Sequence, residues 1–286
     1  MPVGRSAGAH FLDGLISVIV TTYNWEPALN AVLRALARQS DRNFEVVIAD
    51  DGSRPETADL IASWTTRAPF TLRHVYQEDR GFRAAQARNR AILASRGTYC
   101  IFLDGDCIAR PGFVTAHRGL AKPGWFVAGN RTLVSQTLTA QSLRDGTDIG
   151  EWGFSDLITQ RRARAINRVV PMITLPLGPL RKRMPRRWQG VRSANLAVWR
   201  ADLERVDGFD AVFDGWGRED SDLVVRLIRA GVLRKDGRFA TGVLHLWHKE
   251  VDRARLPDND KLFNAALASD RIRAQRGIST LSAGSV

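Results

Sequence analysis

The chain has 286 residues, enough to bury one sizeable core, and its 44% hydrophobic and 25% charged residues are ordinary for a folded globular protein. No apolar run approaches the roughly 18 residues of a membrane-spanning helix, and 1–10 lacks the apolar stretch of a signal peptide. With only two cysteines, Cys100 and Cys107, a reducing cytoplasm is predicted. The net charge of +12 favours phosphorylated ligands, anionic membrane surfaces or nucleic acid as neighbours.

The first half of the chain alternates between short β-rich runs and helical patterns. A nearly continuous β-branched run such as ISVIVTT suits a parallel strand that is covered on both faces. This alternation predicts an α/β fold with a parallel sheet and right-handed crossovers. The predicted strands are 16–22, 44–49, 71–76 and 99–103, and the predicted helices are 26–38, 55–64 and 84–94.

Polar clusters follow three of these strands, at 21–24, 50–53 and 104–106. In parallel sheets, ligands bind beyond the carboxyl ends of the strands. The clusters therefore predict a binding site at that edge. In the second cluster, an aspartate can hydrogen-bond a nucleobase or ribose, and Ser53 can cap the next helix.

Asp104-Gly105-Asp106 is the candidate metal motif. Its two carboxylates can reach a hard divalent cation, and the glycine permits close approach of a ligand. Such a cation would neutralise the charge that develops on a nucleoside diphosphate leaving group. A plain turn is the alternative interpretation, because Asp-Gly pairs are common in turns.

Glu219 and Asp220 are the candidate general bases. They follow Trp216-Gly217 at the start of a predicted helix, and Asp214 and Asp222 lie close in sequence. Crowding of carboxylates raises the pKa of one of them toward a useful value. Acids that merely complement the helix dipole would give the same pattern.

His245 and His248 lie three residues apart, at the end of a predicted strand over 239–246. On a strand this spacing puts them on opposite faces, so both are not expected to bind one metal unless the strand has already ended. Imidazole beside carboxylates favours manganese over magnesium.

These segments together resemble glycosyltransferase family 2. ISVIVTTYN, FEVVIADDGS, RGFRAAQARNRAI and YCIFLDGDCIARPGF follow the N-terminal half of that family in order. ANLAVWRADLERVDGFDAVFDGWGREDSDLVVRL and HLWHKE are similar to the galactosyltransferase-type half of chondroitin-polymerase-like bacterial enzymes. The resemblance covers 15–130 and 192–250.

The resemblance implies the GT-A fold, which is a Rossmann-like nucleotide-binding sheet flanked by helices. It implies a nucleotide-sugar-binding half over 15–130 and an acceptor-binding and catalytic half over 191–250. The composition of the remaining residues predicts a variable basic segment over 131–190 and a helical basic tail over 251–286. The implied activity is inverting transfer of a hexose-type sugar from a UDP-sugar to a glycan or glycolipid acceptor. Lipopolysaccharide or another bacterial surface polysaccharide is the implied product.

The resemblance also implies roles for particular residues. Asp106 and His248 would ligate Mn²⁺ or Mg²⁺, Asp104 would lie near the ribose or the metal, and His245 is left open. Asp220 would deprotonate the acceptor and Glu219 would orient it, although these two roles can be exchanged. Trp216 and Gly217 would join Glu219 in binding the acceptor. The implied nucleotide contacts are Thr21, Tyr23, Asn24, Asp51, Arg80 and Arg83.

Two dense basic runs, 161–164 and 181–187, are either solvated surface or a docking site for anionic lipid, which would place the protein on the inner face of the cell membrane. Two other functions compete with sugar transfer. A sugar-nucleotide nucleotidyltransferase would carry a Gly-rich basic loop after the first strand, where this chain has 21–24. A nucleic-acid-binding role has only the net charge in its favour and leaves the acidic clusters unexplained, so no nucleic-acid partner is expected.

Overall fold

The computed structural model describes residues 13–250 and 252–281, so the predicted lack of a signal peptide concerns residues outside the described range. The first half begins with alternating strands and helices, as its patterns predict. Its strands are β1 (Ile16–Thr22), β2 (Phe44–Asp50), β3 (Thr71–Tyr76), β4 (Tyr99–Asp104), β5 (Cys107–Ala109), β6 (Trp125–Ala128) and β7 (Arg131–Leu133). Its helices are α1 (Glu26–Ala37), α2 (Pro55–Thr65), α3 (Ala84–Ala94) and α4 (Phe113–Leu120).

The rest of the described chain adds three strands and five α-helices. The strands are β8 (Asn195–Trp199), β9 (Leu233–Asp236) and β10 (Val243–His245). The helices are α5 (Gln136–Asp145), α6 (Phe154–Arg162), α7 (Arg200–Arg205), α8 (Glu219–Arg229) and α9 (Leu256–Ala268). Short 3-10 helices lie at Ile149–Glu151, Val170–Met172, Gly178–Lys182 and Ile278–Thr280.

Seven strands form the main sheet, in the order β3-β2-β1-β4-β8-β6-β9. The prediction of a parallel sheet is confirmed for β3, β2, β1 and β4. The whole sheet is mixed, because β8, which lies outside the set of predicted parallel strands, runs antiparallel between β4 and β6. The chain reaches β8 after a long excursion through 131–190 and not through a short crossover helix, so nothing forces a parallel approach.

Both faces of the main sheet are covered, as a continuous apolar run in β1 requires. Ile16, Val18 and Val20 pack into a core that includes residues of α1. Ile19 points to the opposite face and packs into a second core that includes residues of α3 and α8. The sheet is thus a rigid central layer, and its edge at the carboxyl ends of β1, β2 and β4 can hold side chains in fixed positions.

A smaller sheet, ordered β5-β10-β7, extends that edge. The strand predicted over 239–246 is shorter than expected, because 237–241 forms a turn in which the Ala240 and Thr241 N–H groups both donate to the Gly237 carbonyl. Phe239 has a φ of 59°, which a strand cannot accommodate. The strand therefore begins at Val243 and ends at His245.

The segment 131–190 is ordered although its sequence has no clear period. It contains β7, α5 and α6, and α5 is capped by Ser135, whose hydroxyl accepts a hydrogen bond from the Leu138 N–H at 3.3 Å. Within the described part of the chain, no helix is both long and apolar enough to span a membrane.

Candidate functional site

The carboxyl ends of three strands meet at one edge of the main sheet. Thr21 pairs with Asp104 across β1 and β4, and Thr22 pairs with Asp50 across β1 and β2. The cluster at 50–53 lies directly against the cluster at 21–24, because the Asn24 N–H donates to the Ser53 hydroxyl at 3.0 Å. Ser53 therefore ties two loops together and is not the cap of α2, whose N-cap position is held by residue 54.

Asp104, Gly105 and Asp106 form the turn between β4 and β5. The Gly105 N–H donates to the Thr21 carbonyl at 2.7 Å, and a Cβ at Gly105 would lie 2.8 Å from that same oxygen. A glycine is therefore required here for the close approach of two strand ends. The tight turn directs the Asp106 side chain toward the small sheet.

Asp106 faces two histidines. Its Oδ1 lies 3.5 Å from Nε2 of His245, and its Oδ2 lies 3.3 Å from Nε2 of His248. The condition under which both histidines can reach one metal is met, because β10 ends at His245 and the chain then brings His248 round to the same carboxylate. His248 Nδ1 lies 2.8 Å from the Lys249 carbonyl, which can only accept, so Nδ1 carries a proton, and in a neutral imidazole Nε2 is then the nitrogen with a free lone pair.

One carboxylate and two imidazoles are a donor set that suits a transition metal such as Mn²⁺. The candidate ligand atoms of Asp106, His245 and His248 all lie within 4.8 Å of one another. A second group joins Asp104 and Asp106 to Cys107, but burial raises the pKa of the Cys107 thiol well above its usual value. The residues therefore fit a divalent cation held by carboxylate and imidazole, without a thiolate.

Arg88 connects the two sides of this site. It is 4% exposed. Its Nε donates to Thr21 Oγ1 at 3.1 Å, its Nη2 to Asp104 Oδ1 at 3.3 Å, and its Nη1 to Glu219 Oε1 at 3.2 Å. A single buried guanidinium thus links the ends of β1 and β4 to the start of α8.

Arg88 is the residue that our interpretation of the sequence missed. It lies three or four positions from four buried apolar residues of α3, namely Ala84, Ala85, Ala91 and Ile92. That spacing puts an arginine on the apolar face of a helix, where a charge is retained only when it is paired. The sequence therefore indicated that Arg88 has a buried partner, but it did not indicate that the partners are Thr21 and Glu219, which lie 67 and 131 residues away.

Glu219 and Asp220 open α8 from an unusual stretch of backbone. Gly215, Gly217 and Arg218 all have positive φ, at 76°, 105° and 81°. Arg218 is unusual among these three, because residues other than glycine rarely adopt a positive φ. Its guanidinium donates to the Asp260 carboxylate of α9 at 2.5 Å. This approach buries both acids, which are 7% and 8% exposed.

The two acids differ in their partners. Glu219 Oε1 accepts from Arg88, whereas Asp220 Oδ2 accepts from the Ser193 N–H at 3.2 Å. Burial and the neighbouring Asp220 raise the pKa of the Glu219 carboxyl to about 8, against the opposing effect of Arg88. At neutral pH Glu219 therefore holds a proton, which leaves Asp220 as the better candidate for a general base.

This pKa makes stability depend on pH in a defined direction. The native state keeps the Glu219 proton between about pH 4.5 and about pH 8, whereas the unfolded chain releases it, so the native state binds more protons and loses stability as the pH rises through that window. We expect Glu219→Gln to match wild type at pH 5 and to exceed its Tm by at least about 3 °C at pH 9. Thermal unfolding of both proteins from pH 5 to pH 9 measures the difference. Parallel curves would contradict the assignment.

Asp104 is the other strongly perturbed carboxyl. Burial raises its pKa to about 6; Arg88 opposes the rise, and the neighbouring Asp106 and Asp220 add to it. These electrostatic neighbours place Asp104 between the candidate metal ligands and the candidate base.

The predicted nucleotide contacts lie along the ends of β1 and β2. Asp51 is 3% exposed, and its oxygens accept from Gln77 Nε2 at 2.6 Å and from the Arg83 N–H at 2.7 Å. Burial raises the Asp51 pKa to about 6, although both hydrogen bonds oppose the rise. Tyr23 is 51% exposed and donates its hydroxyl to Asp79 at 2.9 Å, so one ring stands at the open rim of the site.

The remaining predicted residues lie farther from the acidic cluster. Asn24 accepts from the Arg54 N–H, and Arg80 is an exposed side chain paired with Glu78. Arg80 and Arg83 line a cavity of about 310 Å³. The Trp216 ring is half-buried, and the Arg253 guanidinium lies 4.7 Å from its centroid.

Family models match most of the chain. A model described as glycosyl transferase family 2 matches residues 17–185, and one described as the N-terminal domain of galactosyltransferase matches residues 180–249. Validoxylamine A glucosyltransferase of Streptomyces hygroscopicus subsp. limoneus is 32% identical over 248 residues, covering 80% of this chain and 51% of that protein. Chondroitin synthase of Escherichia coli is 25% identical over 241 residues, covering 77% and 33%. The chain thus spans about half the length, or less, of these curated relatives.

Solved structures share the fold at low identity. The mannosyltransferase PcManGT from Pyrobaculum calidifontis, in complex with GDP-Man and Mn²⁺, superposes with a TM-score of 0.61 at 20% identity, covering 90% of this chain and 65% of that chain. TarS 1–349 of S. aureus, in complex with UDP, gives 0.59 at 15% identity, covering 93% and 68%. The predicted α/β architecture of the GT-A type is confirmed.

Proposed function

Because the chain belongs to glycosyltransferase family 2, we propose that it is a metal-dependent glycosyltransferase that moves a hexose-type sugar from a UDP-sugar to a glycan or glycolipid acceptor. The observation that carries the proposal is the meeting of Asp106, His245 and His248 beside the buried Glu219 and Asp220. A site for a cation that binds a diphosphate and a site for a base then lie next to each other, as an in-line displacement requires.

We propose that Asp106, His245 and His248 hold Mn²⁺, with Mg²⁺ as the alternative, and that Asp104 lies between the metal and the ribose. When bound, the cation would neutralise negative charge on the diphosphate. His245 joins the ligand set that the resemblance implies, because its Nε2 faces the same carboxylate as that of His248. The metal seen with GDP-Man in PcManGT supports a divalent cation in this fold.

In the proposed reaction Asp220 acts as the general base. Its carboxylate takes the proton of an acceptor hydroxyl, the hydroxyl oxygen forms a bond to the anomeric carbon, and the bond from that carbon to the diphosphate oxygen breaks. Attack from the side opposite the leaving group inverts the anomeric centre. Protonated Glu219, fixed by Arg88, can donate a hydrogen bond that orients the acceptor, and Trp216 and Gly217 lie on the same side.

We propose that the nucleotide lies across the ends of β1 and β2. Thr21, Tyr23, Asn24 and Asp51 border this region, and the basic Arg80 and Arg83 stand near its rim. Asp51 is buried and already accepts two hydrogen bonds, so it would accept a hydrogen bond from the nucleotide through one of its remaining lone pairs. UDP in the TarS complex supports uridine as the nucleoside of the donor, because TarS has a similar fold.

The acceptor side of the proposal is a growing surface polysaccharide such as lipopolysaccharide. We place the protein in the cytoplasm, peripheral to the inner face of the membrane, because a glycolipid acceptor would be presented there. Nucleotidyl transfer is disfavoured by membership of family 2. Binding of nucleic acid is disfavoured by the acidic cluster, which would repel phosphates in the absence of a cation.

Titration of UDP into the wild-type protein and Asp106→Ala, with and without Mn²⁺, tests the proposal by calorimetry. We expect Mn²⁺-dependent binding in the wild type and a loss of at least about 100-fold in the variant, because even the supporting partners of metal ligands contribute 10–100-fold. Asp145→Ala, on the exposed end of α5, is the control and should bind as wild type does. Wild type that binds no UDP under either condition would remove the donor assignment.

A further inference from the structure

One long stretch of the chain carries positive charge without any acid. Between Asp156 and Asp202 the sequence has eleven basic residues and no Asp or Glu. Large apolar side chains are exposed in the same stretch, and the two most exposed are Leu180 and Met184, each at 55%. Exposed apolar side chains among basic ones are typical of proteins that lie on anionic lipid surfaces.

Contacts gather part of this stretch into one surface. The Arg234 N–H of β9 donates to the Pro185 carbonyl at 2.7 Å, so 180–187 lies along the outer edge of the main sheet. The Lys182 ammonium lies 5.0 Å from the Trp125 ring centroid, and the neighbouring Lys122 lowers the pKa of Lys182. We call residues 180–187, with Lys122, Arg234 and Lys235, the basic edge.

Within the basic edge, lysines crowd together. Burial and the nearby Lys182, Arg181 and Lys122 lower the pKa of Lys235 to about 8. No acid appears among the groups that shift the pKa of Lys235 or Lys182, whereas Asp236 acts on the neighbouring Arg181 and Arg234. Ammonium groups that repel one another in this way gain stability when an anion comes between them.

One basic residue of the basic edge, Arg181, stabilises the fold and does not face outward. Arg181 is 6% exposed, and its guanidinium donates to the carbonyls of Leu175, Asp236, Arg238 and Phe239. It anchors the 3-10 helix at Gly178–Lys182 and thereby fixes the direction of its neighbours. Arg183, Arg186 and Arg187 are exposed and supply the outward-facing charge.

The basic edge leads directly into the acceptor side of the candidate site. From Arg187 the chain needs only six residues, at most roughly 20 Å, to reach Ser193, whose N–H donates to the Asp220 carboxylate. A partner bound at the basic edge would therefore lie next to the place where an acceptor enters.

We propose that the basic edge docks on an anionic phospholipid bilayer, with the side chains of Leu180 and Met184 inserted among the headgroups. The role of this docking rests on the proposed function, because docking would bring a membrane-borne acceptor to Asp220. The physical interaction itself needs neither donor nor acceptor. Lipid phosphates pair with the arginines and lysines, and insertion buries the two apolar side chains.

Co-sedimentation with vesicles tests the proposal. Wild type should bind vesicles of phosphatidylcholine with 30% phosphatidylglycerol and should not bind pure phosphatidylcholine. Arg183→Glu with Arg186→Glu should lower the partition coefficient by at least about 25-fold, since each basic residue near an anionic surface contributes about five-fold. Leu180→Ser with Met184→Ser should lower it by at least about 10-fold. Arg144→Glu with Lys261→Glu, the same change of charge at exposed sites elsewhere, should leave binding within about three-fold.

Each alternative outcome is distinct. Wild type that ignores anionic vesicles, or a control variant that loses binding equally, overturns the proposal. Binding of a DNA duplex, weakened by the same arginine variant, without binding of vesicles would reassign the basic edge to nucleic acid. Titration of UDP with Mn²⁺ on the same samples separates the proposed transferase function from the proposed membrane docking. If UDP binds and vesicles do not, only the docking proposal is wrong. A thermal melt of each variant confirms that it is folded.

Discussion

Asp220→Asn should lower the rate of sugar transfer by about 10²–10⁴-fold while leaving Mn²⁺-dependent UDP binding within about two-fold. A positioned general base contributes an effect of that size, and asparagine preserves both the shape and the oxygen that accepts from the Ser193 N–H. The measurement is release of UDP from a panel of UDP-hexoses in the presence of simple sugar acceptors.

Glu219→Gln is the matched control for this prediction. If Glu219 is protonated at neutral pH and orients the acceptor, glutamine keeps a hydrogen-bond donor there and the rate should fall by less than about 10-fold. The reverse order, with Glu219→Gln much the slower variant, would exchange the roles of the two acids. Equal loss in both would indicate that the pair acts as a unit.

Arg88→Met should destabilise the protein by about 3–5 kcal/mol, because it leaves the Asp104 carboxylate buried without its cation and the protonated Glu219 carboxyl without its hydrogen-bond donor. Urea unfolding measures the loss. We also expect weaker binding of UDP with Mn²⁺ among the molecules that remain folded, because Asp104 loses the contact that fixes it.

A double-mutant cycle isolates the contact between Arg88 and Glu219 in that effect. Arg88→Met combined with Glu219→Gln should recover part of the lost stability, since the second change removes a carboxyl that lacks a partner. Purely additive losses would mean that Arg88 stabilises the protein through packing alone, for instance against the Phe209 ring, whose centroid lies 5.4 Å from the guanidinium.

Much of the first half could be predicted from the sequence, and the assignment to family 2 is confirmed. Strands buried on both faces read as continuous apolar runs, and the predicted bounds 71–76 and 84–94 match β3 and α3 residue for residue. The placement of three polar clusters at strand ends is likewise correct. Local pattern was sufficient there because the spacing of apolar residues identifies each strand and helix without reference to its partners.

The rest depends on contacts between distant residues, which a local pattern does not encode. The direction of β8 follows from the path of 131–190, and the joint reach of His245 and His248 follows from the end of β10 at His245. Arg88 shows the limit most clearly: its position on an apolar helix face was readable, whereas its partners Thr21 and Glu219 were not.

The place of β8 has a consequence during synthesis of the chain. β8 covers the edge of β4, and Tyr99, Cys100, Ile101, Phe102 and Leu103 of β4 are all fully buried. Until 195–199 has emerged from the ribosome, β4 is an open apolar edge, and such edges pair with other chains. This protein is therefore most prone to aggregation while only the first half of the chain has been synthesised. A chaperone that shields β4 would protect the nascent chain until the second half has emerged.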